Sequence, residues 1–349
     1  MEKLNVMPNK EYILEILENI LSIDSPTGFT NNVISYLEKE CDKLNVKHSR
    51  NQKGNLIIEI DNNSNYTIGL GAHVDTLGAM VRSINSNGTL KFTVLGGPIL
   101  NTYDGEYCNV HTRSGKVYSG TVLSNSPAVH VYPNARTEAR TDETMHVRLD
   151  EVTYSKNETK ALGIETGDFI AVNPKFEYTS SGYIKSRFLD DKLSVAILFG
   201  VIKYLNDNNI KLDCNLKFVI STYEEVGHGS SNIPQMDEFI AVDMGCIGLD
   251  LNCTEQMVSI CAKDSSGPYD YDMTTKLINL SKDNKLNYAV DVYPFYSSDV
   301  SAALRGGANI KGALIGSGVS ASHGMERSHI DGVINTFKLI ILYLTNYNN

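Results

Sequence analysis

Between Gly78 and Lys185 the periodicity of the chain changes, and no other feature constrains its fold as tightly. Inside that stretch, short alternating segments such as SINSNGTLKF, HTRSGKVYSGTVL and TGDFIAVNPKFEY are split by Asn-Gly, Gly-Gly and Ser-Gly turns. No part of it has helical periodicity, so the pattern predicts a small all-β unit. Outside it, apolar residues fall into helical stripes or short continuous runs. Residues 11–22 place Ile13, Leu14, Ile16, Leu17, Ile20 and Leu21 on one helical face. Ser25-Pro26-Thr27-Gly28 breaks that helix, and residues 31–44 predict a second one. Residues 55–60 and 67–72 read as strands, and the second, TIGLGA, is apolar enough to be buried on both faces. After Arg187 the alternation resumes, with a helix over 191–206, strands over 215–222 and 238–243, and a last helix near 332–346. The expectation is an α/β domain, residues 1–77 and 186–349, interrupted by a β-barrel-like module at 78–185. A chain of 349 residues also exceeds the usual size of one compact domain.

Composition excludes some functions. A net charge of -10 with no cluster of Lys and Arg argues against nucleic acid as a partner. No apolar run approaches the roughly 18 residues of a membrane span; Val195–Ile202 and Phe337–Leu344 suit buried helices. The opening residues, MEKLNVMPNKEYILEILENI, carry acids within their apolar stretch and do not read as a secretory signal. Six cysteines without a C-x-x-C pair are expected to be reduced, buried thiols, which fits a cytoplasmic location.

Five places combine metal-binding or acid–base residues with the ends of predicted elements. In GAHVDTLG, His73 and Asp75 follow a buried strand. Two residues apart on extended backbone, they project to one side, so Asp75 is placed to brace the His73 imidazole; a satisfied strand-end histidine is the plain alternative. In RFLDDKLSVAILFG, Asp190 and Asp191 open an apolar helix. Helix capping explains them, and so does a carboxylate bridging two cations. In FVISTYEEVGHGSS, Glu224 and Glu225 follow an apolar strand, where open α/β sheets bind ligands. One of them is free to ligate metal while the other serves as general base, and His228 reads as a surface or supporting residue. Asp243 closes the strand FIAVDMG, and His323 and His329 lie in SASHGMERSHIDGV before the last helix. Together, two histidines, two terminal carboxylates and one bridging carboxylate make a mixed N/O set suited to two divalent ions, with Zn²⁺, Co²⁺ and Mn²⁺ as candidates.

The ordered series AHVDTLG, FLDDK, TYEEVG, VDMG and SHGMERSH resembles the M42 family of metallo-aminopeptidases. The likeness spans nearly the whole chain, including LGIETGDFIAVNPKFE ahead of the D-D pair. It implies a phosphorylase/hydrolase-like zinc exopeptidase core with an inserted β-barrel-like domain. It also implies His73 and Asp243 on one metal, Glu225 and His323 on the other, Asp190 bridging them, Glu224 as general base and Asp75 as the residue orienting His73. Zinc is the first expectation for the metal pair, and peptides with a free N-terminus are the implied substrates. The family often assembles into dodecamers through its inserted domain, so a large homo-oligomer is expected, with the insertion serving assembly. Two departures stand out: Lys192 replaces an Arg after the D-D pair, and Gly324-Met325 replaces Ser-Pro after the last histidine. The competing readings are a deacylase or carboxypeptidase on the same metal cage, or an inactive scaffold on this fold. A glycosidase using Glu224 and Glu225 is disfavoured on the expectation that adjacent strand residues face opposite ways.

Overall fold

A computed structural model describes residues 6–346. The first residues of the stretch read for a secretory signal therefore lie outside the described residues. The helix expected over 11–22 runs Lys10–Leu21, with the Asn9 side chain accepting from the Tyr12 N–H at 3.0 Å as its cap. Its buried face is Ile13, Ile16, Leu17, Ile20 and Leu21. Helices Asn31–Lys43, Leu189–Asp207 and Ile330–Thr345 follow the remaining helical stripes.

These helices cover a ten-stranded sheet. Its four central strands, in spatial order Asn215–Ser221, Thr67–His73, Glu238–Val242 and Lys311–Val319, are mutually parallel. Their carboxyl ends therefore share one edge. Side chains alternate across the sheet: Phe218, Ile220, Ile240 and Val242 enter the core under the long helices, while Val219, Phe239 and Ala241 enter a second core beneath helix Asp299–Arg305. Burial on both faces explains the continuous apolar runs of these strands. Gly71 belongs to that second face, since a Cβ there would come within 2.4 Å of the Phe239 ring.

The insertion is a closed six-stranded barrel, in spatial order Gly78–Ile84, Leu90–Leu95, Met145–Leu149, Val117–Ser124, Tyr107–His111 and Phe169–Val172. Val81, Leu90, Phe92, Val110, Val122, Val147 and Ile170 fill it. Strands Glu177–Tyr178 and Tyr183–Ser186 leave the barrel and join a small sheet with Glu326–His329. One helix, Lys156–Ala161, interrupts the all-β stretch in which no helical periodicity was read. Six residues are too few to show an amphipathic stripe; Ser155 caps this helix, and Thr159 anchors it by donating to the Gly88 carbonyl at 2.8 Å. Among the described residues no helix is long and apolar enough to cross a membrane.

Candidate metal centre

The shared carboxyl edge of the parallel strands gathers the residues singled out in the sequence. His73 is the last residue of its strand, Asp243 follows strand Glu238–Val242, and His323 follows Lys311–Val319. Glu224 and Glu225 come after strand Asn215–Ser221, but they lie in a 3-10 turn, Glu224–Val226, not on extended backbone. The expectation that they face opposite ways therefore fails. Both carboxylates enter one cleft, with Glu224 Oε2 3.7 Å from His73 Nε2 and Glu225 Oε2 3.6 Å from His323 Nε2.

Asp190 stands between the two imidazoles, its Oδ1 3.1 Å from His73 Nε2 and its Oδ2 3.7 Å from His323 Nε2. Capping does not describe this pair: Phe188 is the residue flanking the helix, and Asp190 and Asp191 have non-helical backbone angles. Asp191 is buried and accepts from the His73 N–H at 3.1 Å through Oδ2. Potential ligand atoms of His73, Asp191 and Asp243 lie within 4.8 Å of one another, as do those of His73, Asp190 and Glu225. Asp191, left without a role in the sequence reading, thus belongs to the cluster.

Asp75 lies at the root of the cleft. His73 Nδ1 meets its main-chain carbonyl at 3.0 Å, while its carboxylate stays 3.6 Å away. That carboxylate instead accepts the backbone N–H groups of Glu224 (3.2 Å) and Glu225 (3.4 Å) and the Thr27 hydroxyl (2.7 Å). It therefore orients the two glutamates more directly than it orients the histidine. Asp243 is positioned by backbone contact: a Cβ on Gly316 would stand 1.6 Å from the Asp243 carbonyl oxygen, so only glycine fits beside it.

The His323 side is built by long-range contacts. Glu326, buried on strand Glu326–His329, accepts the His323 N–H through Oε1 at 2.9 Å and the Asp190 N–H through Oε2 at 3.1 Å. The loop that follows barrel strand Leu90–Leu95 also reaches in. The Gly97 carbonyl meets His323 Nδ1 at 2.9 Å, and the Ile99 N–H donates to the His323 carbonyl at 2.9 Å. A proton on Nδ1, drawn there by the carbonyl, leaves the Nε2 lone pair facing Asp190 and Glu225. His329 is elsewhere: it caps helix Ile330–Thr345, its Nδ1 accepting from Asp331 N–H and its Nε2 meeting the Ser181 carbonyl. His228 is exposed and stacks on Tyr223. Lys192 is buried and points away, donating to the carbonyls of Ile20 and Ile23.

The electrostatics of this cleft call for cations. Burial, then the charges of Asp243, Asp299 and Asp190, push the Glu224 carboxyl well up. Burial and Asp190 do the same to Glu225, and they push Asp243 up to about 7. Burial opposes a charge on His73, yet Asp190 and Asp75 raise its pKa well above the usual imidazole value. Crowded buried carboxylates of this kind ionise together only beside compensating positive charge. Two of their oxygens, Glu225 Oε1 and Asp191 Oδ1, are buried without a hydrogen-bond partner. Unpaired carboxylate oxygens next to two imidazoles are what a divalent ion with mixed N/O ligands would satisfy, so the residues present fit the metals the sequence implies. A cavity of ≈ 480 Å³ between helix Lys10–Leu21 and the barrel, lined in part by Glu18, Tyr107, Asp150 and Lys175, lies apart from this chemistry.

Comparison with known proteins agrees with the geometry. The model of the M42 glutamyl aminopeptidase family matches residues 54–339. A Bacillus subtilis (strain 168) protein carrying the name "Putative aminopeptidase YhfE" is 44% identical over 95% of this chain and 96% of its own. The TET aminopeptidase from a marine sediment archaeon, Thaumarchaeota archaeon SCGC AB-539-E09, superposes with a TM-score of 0.88 at 18% identity, over 97% of both chains. The Pyrococcus horikoshii TET1 peptidase, described as assembling into a tetrahedron or a large octahedral shell, gives a TM-score of 0.84 at 22% identity, over 96% of this chain and 99% of its own. At these identities the two structures speak to the fold, an α/β sheet with an inserted barrel. The chain belongs to the M42 glutamyl aminopeptidase family and is a metallo-aminopeptidase, a hydrolase of peptide bonds.

Proposed function

We propose that the protein removes residues one at a time from the free amino end of peptides, with two divalent metal ions per chain. His73 and Asp243 would hold one ion, Glu225 and His323 the other, and Asp190 would bridge them, with zinc as the first candidate and cobalt or manganese as alternatives. The observation that carries this reading is Asp190, whose two carboxylate oxygens point at two different imidazoles, His73 and His323. Bound there, the ions would polarise the scissile carbonyl and lower the pKa of water.

The residues of the chain divide the remaining work. Glu224, kept near His73 and free of the Asp190–His323 pairing, takes a proton from the attacking water and returns it to the leaving amine. Asp75 fixes the turn that carries Glu224 by accepting its backbone N–H. The surplus of carboxylates over two divalent ions complements a protonated α-amino group, which selects the amino end of the substrate.

Assembly is the second part of the proposal. Tyr107, Val117, Val131, Val152 and Tyr154 are exposed on the insertion, and the Pyrococcus horikoshii TET1 peptidase can assemble into a tetrahedron or a large octahedral shell. We place a homo-oligomer interface there, with a dodecamer as the first size to test. Six free thiols, five of them buried, suit a cytoplasmic location.

The test is a digest of matched peptides with free and N-acetylated amino ends, read by mass spectrometry. Stepwise N-terminal truncation of the free peptides and survival of the acetylated ones is expected. Acetylation removes the charge and leaves the polar groups built to meet it unpaired, a discrimination of roughly 10²-fold or more. C-terminal ladders, or equal cleavage of both peptides, would replace this reading with a carboxypeptidase or deacylase.

A further inference from the structure

Tyr296 lies between strand Tyr288–Val292 and helix Asp299–Arg305, outside every motif that marked the metal cluster. Its backbone is fixed, since its carbonyl accepts from both the N–H (2.8 Å) and the hydroxyl (2.6 Å) of Ser265. Its ring meets Tyr293 edge-on, with centroids 5.3 Å apart. Held in this way, Oη is buried, makes no hydrogen bond of good geometry and lies within reach of the Asp243 carboxylate, whose charge it favours. The charges that bear on it are those of Asp243, Asp190, Glu224 and Asp191, so the hydroxyl looks into the carboxylate cleft. A buried hydroxyl without a well-formed hydrogen bond is, in native proteins, a group to examine for a catalytic role.

Resting on the aminopeptidase reading above, we propose that Tyr296 contacts substrate, its hydroxyl donating a hydrogen bond to the scissile carbonyl oxygen as that oxygen gains negative charge. The cleft is rich in acceptors and poor in donors. Lys192 spends its ammonium on the carbonyls of Ile20 and Ile23, and Arg187 turns Nη1 and Nη2 to those of Asn173 and Thr102. Once cations occupy the carboxylates, the phenol is a neutral donor that faces Glu224 and Asp243 together. The carbonyl attacked by water that Glu224 deprotonates must lie beside the same two residues. A donor fixed before the reaction, in a site closed to bulk water, stabilises developing charge without reorganisation. The Ser265 and Tyr293 contacts supply that fixation.

Tyr296→Phe tests the role, because it keeps the ring and its edge contact and removes only the hydroxyl. On a free-amino peptide kcat should fall about 10²–10³-fold, the effect of losing one such donor, with KM nearly unchanged. Elemental analysis should still find the parent metal content. Calorimetry with a phosphinic peptide, whose tetrahedral anion imitates the charged oxygen, should show weakening by a similar factor, while binding of the free amino-acid product should not change. A kcat within about threefold of the parent overturns the proposal. So does loss of metal, which would make Tyr296 a holder of Asp243 that touches no substrate. A parent enzyme that leaves free-amino peptides intact in the same assay overturns the aminopeptidase reading itself, and the proposal with it.

Discussion

The two ends of the metal cleft are made of different material. His73 and Asp243 are 1% and 4% exposed and stand at the carboxyl ends of parallel strands in the middle of the sheet. Their positions follow from strand register. Glu225 and His323 sit in turns; His323 has a left-handed φ of 63°, uncommon for any residue but glycine, and its side chain is 35% exposed. Its position depends on Glu326 and on the barrel loop at Gly97. One end is thus set by the sheet, and the other is assembled from three distant segments. The insertion therefore reaches the proposed ligand His323 as well as the outer surface.

The largest effect expected on this contrast separates the adjacent glutamates. Glu224→Gln should lower kcat by roughly 10²–10⁴-fold, as loss of a general base does, while both metals stay bound. Glu225→Gln should release one metal, the one at the His323 end, and leave the His73 end filled. Elemental analysis of both variants decides it. A Glu224→Gln protein that loses a cation, beside a Glu225→Gln protein that keeps two, would reverse the roles.

The histidines sharpen the comparison further. His323→Ala should cost the turn-borne end at least ten- to a hundredfold in metal affinity, a loss as large as that seen for supporting groups alone. His329→Ala should keep both metals and activity, yet lose about 1 kcal/mol of stability, because it removes a helix cap. Chelator titration and chemical melts of the two variants provide the readout. Equal metal retention in both would remove His323 from the ligand set.

What the sequence disclosed follows the same division. The α/β core and its β-rich interruption were legible because burial on one or both faces imposes a period on each segment. Strand-end residues such as His73 and Asp243 were legible because an apolar run that stops at a polar residue marks the edge of a sheet. Glu326 gave no such signal: its partners are N–H groups at His323 and at Asp190, 136 residues away. The 3-10 turn at Glu224–Val226, beyond the strand expected over 215–222, is too short for any period, and its glutamates were expected to face opposite ways as adjacent strand residues do. Tyr296 reads as an ordinary aromatic until packing against Tyr293 and Ser265 aims its hydroxyl. Asp75 was read as a partner of His73, and its carboxylate stands 3.6 Å from that ring; its bonds to the glutamates 149 and 150 residues later carried no local signal. Local patterns specify elements, but contacts between distant segments decide which polar groups meet.

The smallest effect tests whether the turn-borne end needs the whole barrel seated or only its loop. Asp24 joins the two domains on another face, its Oδ2 accepting from Asn109 Nδ2 at 2.9 Å and meeting His111 Nε2 at 2.7 Å, both on barrel strand Tyr107–His111. Burial works against its charge, but the bonds from His111 and Asn109 prevail and hold the carboxyl below its ordinary value of 3.8. A carboxyl whose folded pKa is depressed stabilises the fold fully above the unfolded value and loses that contribution as pH falls through the folded one. Asp24→Asn should therefore cost about 1 kcal/mol at pH 7, a modest sum for a charge-assisted bond still partly open to water. The gap between variant and parent should narrow between pH 7 and a pH below 3.8, as the parent carboxyl protonates. Urea melts at the two pH values measure this directly, and a gap that widens on acidification would show the sign to be wrong. Metal content at pH 7 supplies the structural half of the test. If the loop at Gly97 alone seats His323, Asp24→Asn keeps both metals; loss of the metal at the His323 end would mean that the whole seam between barrel and sheet holds that end in place.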